Sequence, residues 1–300
     1  MKQYIKKIGF AHKLYKLLRY SVSAVSPELA TRMIFRVSRG KKLDMNAPQT
    51  LDEHISILKI KKYNHDPLVA QCADKYRVRE YITQLGLDGI LNELLGVYKH
   101  EDDIPWSQLP DQFVVKWNNA CGANLIVPQK DALDIKKARQ QLGKWRRRKQ
   151  WLDHAEMQYK SIPPRIVIEK YLENDDGSSL DDYKFYCFNG RVPYVMICQG
   201  RDAGHPKYYY LNRKGELMRN LSYDAMNAPK DISISLPEGY EEMFKYAEVL
   251  SKSFPFVRVD FYSVNGSPVF GEMTFTPSGG VDSERPPEAD RHLGQYVHIP

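Results

Sequence analysis

Residues 256–275 read FVRVDFYSVNGSPVFGEMTF, which is two runs of alternating apolar residues on either side of an Asn-Gly pair. Alternation with a period of two predicts a β-strand in each run, and Asn-Gly predicts the tight turn of a hairpin between them. The two faces of the first strand then carry Val257, Val259 and Phe261 on one side and Arg258, Asp260 and Tyr262 on the other. The hairpin is therefore expected to have one apolar face and one charged face.

The register of this hairpin decides whether Asp260 and Glu272 lie side by side. A three-residue loop, 265–267, pairs them and keeps Met273 and Phe275 on the apolar face, whereas a two-residue loop puts the carboxylates on opposite faces. Because the hydrophobic pattern selects the register, we expect the three-residue loop. Adjacent carboxylates repel unless a cation joins them, and Mg²⁺ is commonly held by one or two carboxylates with phosphates and water. An ordinary hairpin with its polar face in water is the alternative on these residues alone.

The composition is that of a globular protein. The chain has 300 residues, 42% of them hydrophobic and 27% charged, which is enough for a sizeable core in two or three subdomains. A formal net charge of +7 and a pI of about 9.0 favour anionic partners. Nucleotides, acidic glycans, nucleic acid and an anionic membrane all meet that description, and charge does not choose among them.

The cysteine pattern and the absence of long apolar runs predict a cytoplasmic protein. The four cysteines show no Cys-X-X-Cys or Cys/His spacing, so reduced thiols explain them better than a zinc site or a disulfide framework. No apolar run approaches the roughly 18 residues that cross a bilayer. The N-terminus lacks the apolar core and cleavage site of a signal peptide.

Residues 1–42 interleave Lys and Arg with apolar residues at helical spacing, among them Ile8, Leu14, Leu17 and Leu18. This pattern predicts a basic amphipathic helical segment. Such a segment either lies on an anionic membrane or packs on the rest of its own chain, and packing is the commoner outcome.

Two further helices are predicted before residue 90. Thr50 followed by Glu53 is a capping-box signature at the start of a helix over 50–63. A second helix is expected over 68–86, ending at Gly86. Its basic stripe consists of Lys75, Arg77 and Arg79.

The segment 118–123, NNACGA, lies between two predicted strands, 112–117 and 124–129, after a proline-containing connector that suggests a boundary near residue 111. Small polar residues with a glycine allow backbone N–H groups to approach a phosphate, and Lys116 immediately precedes them. An ordinary strand–loop–strand unit is the alternative.

The remaining chain predicts a basic helix and several hairpins. The helix spans 131–152 and contains KWRRRK, for which a solvated face is favoured over a nucleic-acid patch because Trp145 and Trp151 indicate packing. A strand over 165–172 precedes a hairpin over 182–201 that turns at Asn189-Gly190. A further hairpin over 207–218 and a helix over 238–253 lead to the opening stretch.

Five blocks of this sequence resemble, in order, the ATP-grasp superfamily. The blocks are ADKYRVREYI, LPDQFVVKWNNACGANLIV, PPRIVIEKYLE, DYKFYCFNGRV and FPFVRVDFYSVNGSPVFGEMTF. Together they are most similar to a branch of polysaccharide-cluster amidoligases, the TupA-like family, typified by the teichuronopeptide biosynthesis protein. The resemblance covers residues 42–280.

The resemblance implies an α+β ATP-grasp fold in which two α+β halves clasp ATP. The basic amphipathic pattern predicts a helical N-terminal segment over 1–45, and the resemblance implies a pre-ATP-grasp region over 46–110 and an ATP-grasp domain over 111–300. Within that domain, 111–168 is expected to form the lid subdomain and 169–300 the core subdomain.

The resemblance also implies roles for individual residues. Phosphate contacts are implied for Lys75, for Lys116 and for the loop residues Asn118, Asn119, Gly122 and Ala123. Adenine contacts are implied for the segment Glu169, Lys170, Tyr171 and Leu172, and ribose contacts for Asp175 and Asp176. Lys116, Lys184 and Arg201 are implied as catalytic cations. Asp260 and Glu272 are implied as Mg²⁺ ligands, with Thr274 at a third position where the family often has the better ligand Asn.

The activity implied by the resemblance is an ATP-dependent carboxylate–amine ligation that passes through an acylphosphate and releases ADP. The expected substrates are an acidic sugar or polysaccharide precursor and an amino acid or amine, with ATP and Mg²⁺ as cofactors and no nucleic acid. Peripheral contact with the inner membrane surface is expected as well. The alternatives are phosphorylation of a glycan hydroxyl, glycosyl transfer, and a binding protein without turnover.

Overall fold

The computed structural model describes residues 2–178, 180–200 and 206–299, with side chains described from residue 14 onward. The helices are α1 Lys2–Val25, α2 Pro27–Arg39, α3 Leu51–Leu58, α4 Pro67–Ala73, α5 Val78–Gln84, α6 Ile135–Arg146, α7 Met157–Lys160, α8 Tyr223–Asn227, α9 Tyr240–Ser251 and α10 Pro287–Gly294. A π-helical turn, Lys59–Tyr63, continues α3.

The strands form two antiparallel sheets within the described residues. Their bounds are β1 Leu94–Tyr98, β2 Phe113–Trp117, β3 Asn124–Val127, β4 Ile166–Lys170, β5 Asp182–Phe188, β6 Arg191–Gln199, β7 Lys207–Asn212, β8 Val257–Val264 and β9 Ser267–Thr274. The first sheet has the order β1-β4-β2-β3, and the second has the order β7-β6-β5-β8-β9. Two mixed layers of helix and sheet confirm the predicted α+β class.

The four-stranded sheet buries its own core against α6. Phe113, Trp117 and Leu142 are at most 1% exposed, and the Trp117 indole N–H donates to the Leu142 carbonyl oxygen over 3.1 Å. The edge strand β1 belongs to this sheet, which therefore extends N-terminal of the predicted boundary at residue 111. The division of the chain into domains stays a prediction.

The five-stranded sheet carries the larger core. Phe185 meets Phe244 of α9 and Phe261 of β8 edge to face, with ring centroids 4.9 and 5.6 Å apart. The predicted hairpin at Asn189-Gly190 is present, and both turn residues have the positive φ that this tight turn requires.

The hairpin β8–β9 pairs Asp260 with Glu272 as predicted, but its loop and strand differ from the prediction. Val264 pairs with Ser267, so the loop has two residues, and the predicted three-residue loop is wrong. A β-bulge at Gly271 supplies the extra residue, because Phe261 pairs with Phe270 whereas Asp260 pairs with Glu272. The bulge therefore restores the pairing of the two carboxylates.

The predicted helix over 68–86 is interrupted. The Asp74 carboxylate accepts the backbone N–H groups of Tyr76 and Arg77 over 2.9 and 3.3 Å, which ends α4 and turns the chain before α5. The predicted helix over 131–152 is likewise shorter, since α6 covers only Ile135–Arg146. The capping box at Thr50 and Glu53 is confirmed.

The N-terminal segment forms two helices separated by Ser26, whose hydroxyl caps α2 by accepting the Leu29 N–H over 3.2 Å. One side of α1 packs on the protein, because the Tyr20 hydroxyl donates to Asp153 over 2.6 Å. No helix among the described residues is long and apolar enough to span a membrane.

Candidate active site

A central cavity of about 480 Å³ lies between the two sheets. The four-stranded sheet and its loop line it with Lys116, Gly122 and Asn124, and Lys75 enters from the turn between α4 and α5. The five-stranded sheet contributes a charged wall that consists of Asp182, Lys184, Arg258, Asp260 and Glu272. The cavity thus brings together residues that lie almost 200 positions apart in the sequence.

Side-chain cations hold both predicted metal ligands. Lys184 Nζ lies 3.1 Å from Asp260 Oδ2, and Arg258 donates to both oxygens of Asp260 over 2.7 Å. Lys75 Nζ donates to Glu272 Oε2 over 3.0 Å. The wall is therefore a compact array of alternating charges, buried at Asp260 and more open at Glu272.

The electrostatic balance of this array favours the charged forms. The neighbouring Lys75 ammonium, with smaller contributions from Arg258 and Lys184, lowers the pKa of Glu272 although burial opposes it. Burial also works against the charge of Lys75, but the Glu272 carboxylate and other acidic groups raise the pKa of Lys75 overall. Both partners stay ionised at neutral pH.

The structure pairs the predicted phosphate lysine with the predicted adenine segment. Lys116 Nζ lies 2.6 Å from Glu169 Oε2, and the guanidinium of Arg79 lies 3.7 Å from Glu169 Oε1. These side chains line a narrow crevice that continues from Lys75 and Gly271. The Glu169 carboxylate thus holds the Lys116 ammonium from inside β4, and the adenine contact of Glu169 stays a prediction.

The loop 118–123 divides into a buried part and an exposed part. The Asn118 amide is fully buried and donates to Asp74 Oδ1 over 2.8 Å and to the Pro163 carbonyl oxygen over 3.0 Å. Ala123 packs into the core of the first sheet. Gly122 lines the central cavity, and Asn119 is half-buried beside it. Asn118 and Ala123 are therefore buried anchors of the loop, whereas Gly122 lies at the cavity surface, and their phosphate contacts stay a prediction.

The chain after β4 runs along a second, more open depression of about 650 Å³. The Lys170 N–H donates to the Glu93 carbonyl oxygen, and the Lys170 carbonyl oxygen accepts from the Asn92 amide. Tyr171 and Leu172 follow and line the depression. Both backbone polar groups of Lys170 are therefore hydrogen-bonded within the protein. Tyr171 and Leu172 stay predicted adenine contacts.

The predicted ribose contacts Asp175 and Asp176 lie outside the central cavity. Asp175 lines the same depression, and its backbone N–H donates to Asn265 Oδ1 over 2.9 Å. Asp176 is exposed, and its hydrogen bond with Ser178 lowers the pKa of its carboxyl group. Arg201 lies outside the described residues.

The oxygen donors on β8 and β9 suit a hard cation. Asp260 pairs with Glu272 across the strands and Thr274 pairs with Arg258, so two carboxylates and one hydroxyl belong to one cluster. In the part of the chain that the structure describes, no group of three or more His, Cys, Asp or Glu side chains could hold a metal. Mg²⁺ needs only one or two carboxylates when phosphates and water complete its shell, so the donor set fits Mg²⁺.

Sequence reasoning missed several residues of the cavity. Arg258 shares the polar face of β8 with Asp260, so the alternating pattern already contained the signal for it. Tyr186 lines the cavity two residues after Lys184 on β5. Other lining residues come from distant segments, namely Tyr208, Tyr210, Ser222 and Arg285. No local motif marks these positions, because only the packing of β7 and the C-terminal segment on β5 and β6 brings them together.

A family model described as TupA-like ATPgrasp matches residues 53–298. A comparison with curated protein sequences gave no match. Solved structures similar to this chain include D-alanine–D-alanine ligase from Bacillus anthracis, with a TM-score of 0.43 and 18% identity over 75% of this chain and 64% of that one. This chain therefore spans slightly less than two thirds of that ligase.

Two other solved structures are also similar to this chain. D-cycloserine synthetase has a TM-score of 0.41 and 15% identity over 82% of this chain and 76% of that one. The ATP-grasp ligase PsnB, solved with a precursor variant, Mg and ADP, has a TM-score of 0.37 and 11% identity over 74% of this chain and 58% of that one.

Proposed function

Since the chain belongs to the TupA-like ATP-grasp family, we propose that it is an ATP-dependent carboxylate–amine ligase. Its acid substrate is an acidic sugar or polysaccharide precursor, and its nucleophile is an amino acid or amine. The products are an amide, ADP and phosphate. The cytoplasmic location expected from the cysteines belongs to the same proposal.

The observation that carries this proposal is the convergence of cations and carboxylates in one cavity. Lys75, Lys184 and Arg258 surround Asp260 and Glu272, and Lys116 reaches the same cavity from the facing sheet. Catalysis of phosphoryl transfer depends mainly on positioning and on offsetting the charge of the transferred group. This array provides the required charge at a fixed place.

The proposed reaction has two steps, phosphoryl transfer and then amide formation. A carboxylate oxygen of the acid attacks the γ-phosphorus, and the bond from that phosphorus to the β–γ bridging oxygen breaks, which releases ADP. The amine nitrogen then attacks the acyl carbon. The bond from that carbon to the phosphate oxygen breaks, phosphate leaves with the electron pair, and the amine proton passes to solvent. No protein nucleophile takes part. Asp260, Glu272 and Thr274 would hold a Mg²⁺ ion, which would supply charge neutralisation at the phosphates.

Side chains of the protein have distinct roles in this scheme. Lys116 holds the phosphates from β2 and Lys75 holds them from the turn between α4 and α5, and Lys184 fixes the Asp260 carboxylate from the side of Asp182. Arg258 is already bound to Asp260 and directed into the cavity, so it orients the acid substrate beside the phosphates. Tyr186, Tyr208 and Tyr210 line the same cavity and shield the acylphosphate from water.

The experiment that tests the proposal is a two-dimensional screen of uronic-acid donors against amino acids and amines in the presence of Mg·ATP. ADP release is followed, and the product mass is measured. ADP release that depends on both substrates, with a product mass equal to their sum less water, supports the ligase. A product that carries phosphate on a hydroxyl and forms without an amine would instead identify a kinase.

A further inference from the structure

The outward side of α1 carries an apolar stripe over residues 14–25. Leu14, Leu17, Leu18 and Val25 are 57%, 66%, 52% and 87% exposed. At 3.6 residues per turn these positions fall within one arc of about 100°. We call this stripe the α1 face.

The opposite side of α1 is the side that packs on the protein. Ser23 is fully buried, and Arg19 and Tyr20 both contact the Asp153 carboxylate, over 3.3 and 2.6 Å. A surface helix of a globular protein normally turns its apolar side to the core. The arrangement is reversed here, so the α1 face has an apolar surface that the described residues leave uncovered.

A basic segment lies beside this helix. Arg148 Nη2 approaches the same Asp153 carboxylate to 3.3 Å, so Asp153 joins α1 to the run KWRRRK over 144–149. The five cations of that run are exposed at the end of α6.

We propose that the α1 face and the basic run 144–149 together form one surface that binds an anionic lipid membrane. The leucines require a partner with an apolar interior, which acyl chains provide and an acidic glycan or nucleic acid does not. The cations require anionic headgroups. Stable membrane attachment usually needs two such signals together, and Asp153 holds the basic run beside the helix that carries the α1 face.

The proposed surface is linked to the central cavity through one residue. Gln150 follows the basic run, and its side-chain amide both accepts from the Cys121 N–H over 3.0 Å and donates to the Cys121 carbonyl oxygen over 2.9 Å. Cys121 belongs to the loop that lines the cavity. Membrane binding would therefore bring the cavity loop close to lipid-borne material. The inference itself does not depend on the proposed reaction.

Vesicle flotation of the full chain tests the apolar part of the surface. Wild type should float with vesicles of phosphatidylcholine plus phosphatidylglycerol and not with phosphatidylcholine alone. The triple variant Leu14→Gln, Leu17→Gln and Leu18→Gln should lose at least 90% of this binding, and it should stay folded because these side chains are exposed. Ile126→Gln, a control that is 61% exposed on the edge strand β3, should float like wild type.

The basic part is tested by Arg147→Gln combined with Lys149→Gln. Each charge removed near an anionic surface should weaken binding about five-fold, equivalent to about 1 kcal/mol. Flotation of the triple leucine variant at the wild-type level would overturn the proposal. So would concentration-dependent dimerisation of wild type, abolished in that variant, without any vesicle binding. Capture of an acidic polysaccharide in place of vesicles would do the same.

Discussion

At the scale of single residues, the site is a set of charges that compensate one another. Asp260 is 4% exposed and Lys184 is 6% exposed, so both charges need ion-pair partners, and each has a second one, Arg258 for Asp260 and Asp182 for Lys184. Arg258 holds both Asp260 oxygens and also approaches Glu272 to 3.6 Å. A bound cation and the phosphates of ATP would enter an array that already balances positive and negative groups.

Neutralising either predicted metal ligand should stop turnover. Asp260→Asn and Glu272→Gln each keep the shape of the side chain and remove one negative charge, so ADP release should fall by roughly 100-fold or more. Circular dichroism should show a folded protein. Asp102→Asn, at an exposed turn, is the matched control and should keep wild-type turnover. Normal turnover in a folded Asp260→Asn variant would show that Asp260 is not a ligand.

Lys116 should contribute to nucleotide binding directly. Lys116→Ala removes the ammonium group that lines both the cavity and the crevice beside Glu169, and charged hydrogen bonds contribute about 1.5–3 kcal/mol. Calorimetry should therefore show ATP affinity weaker by about ten-fold or more. Lys137→Ala, on the exposed side of α6, serves as control. Equal affinity in the two variants would make Lys116 an ordinary strand residue.

At the scale of elements, the hairpin β8–β9 sets the geometry of the carboxylates. Its two-residue turn and its bulge at Gly271 together place Glu272 opposite Asp260. A Cβ atom at Gly271 would lie 3.0 Å from the Asp260 carbonyl oxygen, which is closer than ordinary packing allows. The glycine is therefore part of the site even though it has no side chain.

Gly271→Ala should separate the two strands at the bulge and displace Asp260. We expect a loss of stability of about 1 kcal/mol from overpacking together with a clear decrease in ADP release. Gly89→Ala is the control, because a Cβ atom at Gly89 meets nothing within 4 Å. Unchanged ADP release in Gly271→Ala would show that the bulge tolerates a side chain without moving the ligand.

Alternation of apolar residues was enough to predict β8, β9, β5 and β6, and it brought Asp260 and Glu272 to one face. The bulge was missed because the register was assigned to the loop alone, although Phe270 and Met273 lie three positions apart on one face with Gly271 between them. The alternation placed Arg258 on the same face as Asp260, but its ion pair with Asp260 became evident only in the structure. Tyr210 and Arg285 were not predictable, since their place at the cavity depends on long-range packing.

At the scale of the whole molecule, Arg285 ties the N-terminal helices to the C-terminal segment. Its guanidinium is buried and donates to Asp52 of α3 over 3.0 Å and to Asp290 of α10 over 2.9 Å. Burial, opposed by Arg285 and reinforced by Asp290, raises the pKa of Asp52 to about 6. The same arginine lines the central cavity, so this network supports one wall of the site.

Arg285→Met should leave Asp52 and Asp290 with Arg39 as their remaining cation and reduce the free energy of unfolding by about 3–5 kcal/mol near pH 8. Because the pKa of Asp52 is higher in the folded state, folding favours its protonated form, and that contribution is lost as pH rises through about 6. The loss in Arg285→Met should therefore be smaller at pH 5 than at pH 8.

Urea unfolding at the two pH values measures this difference. The control is Arg213→Met, which removes an exposed arginine that pairs with Glu241 and Glu248. Exposed pairs contribute less than about 1 kcal/mol, so this variant should lose little stability at either pH. An equal loss at pH 5 and pH 8 in Arg285→Met would contradict the proposed protonation of Asp52.

The measurement that tests the proposed reaction most directly is trapping of the acylphosphate with hydroxylamine. With an acidic sugar that supports ADP release, Mg·ATP and hydroxylamine in place of the amine, we predict ADP, phosphate and a hydroxamate in equal amounts, since an acylphosphate is electrophilic at its acyl carbon. Asp260→Asn should give none of these products. Formation of AMP and pyrophosphate, or of a phosphoester that hydroxylamine does not trap, would contradict the account.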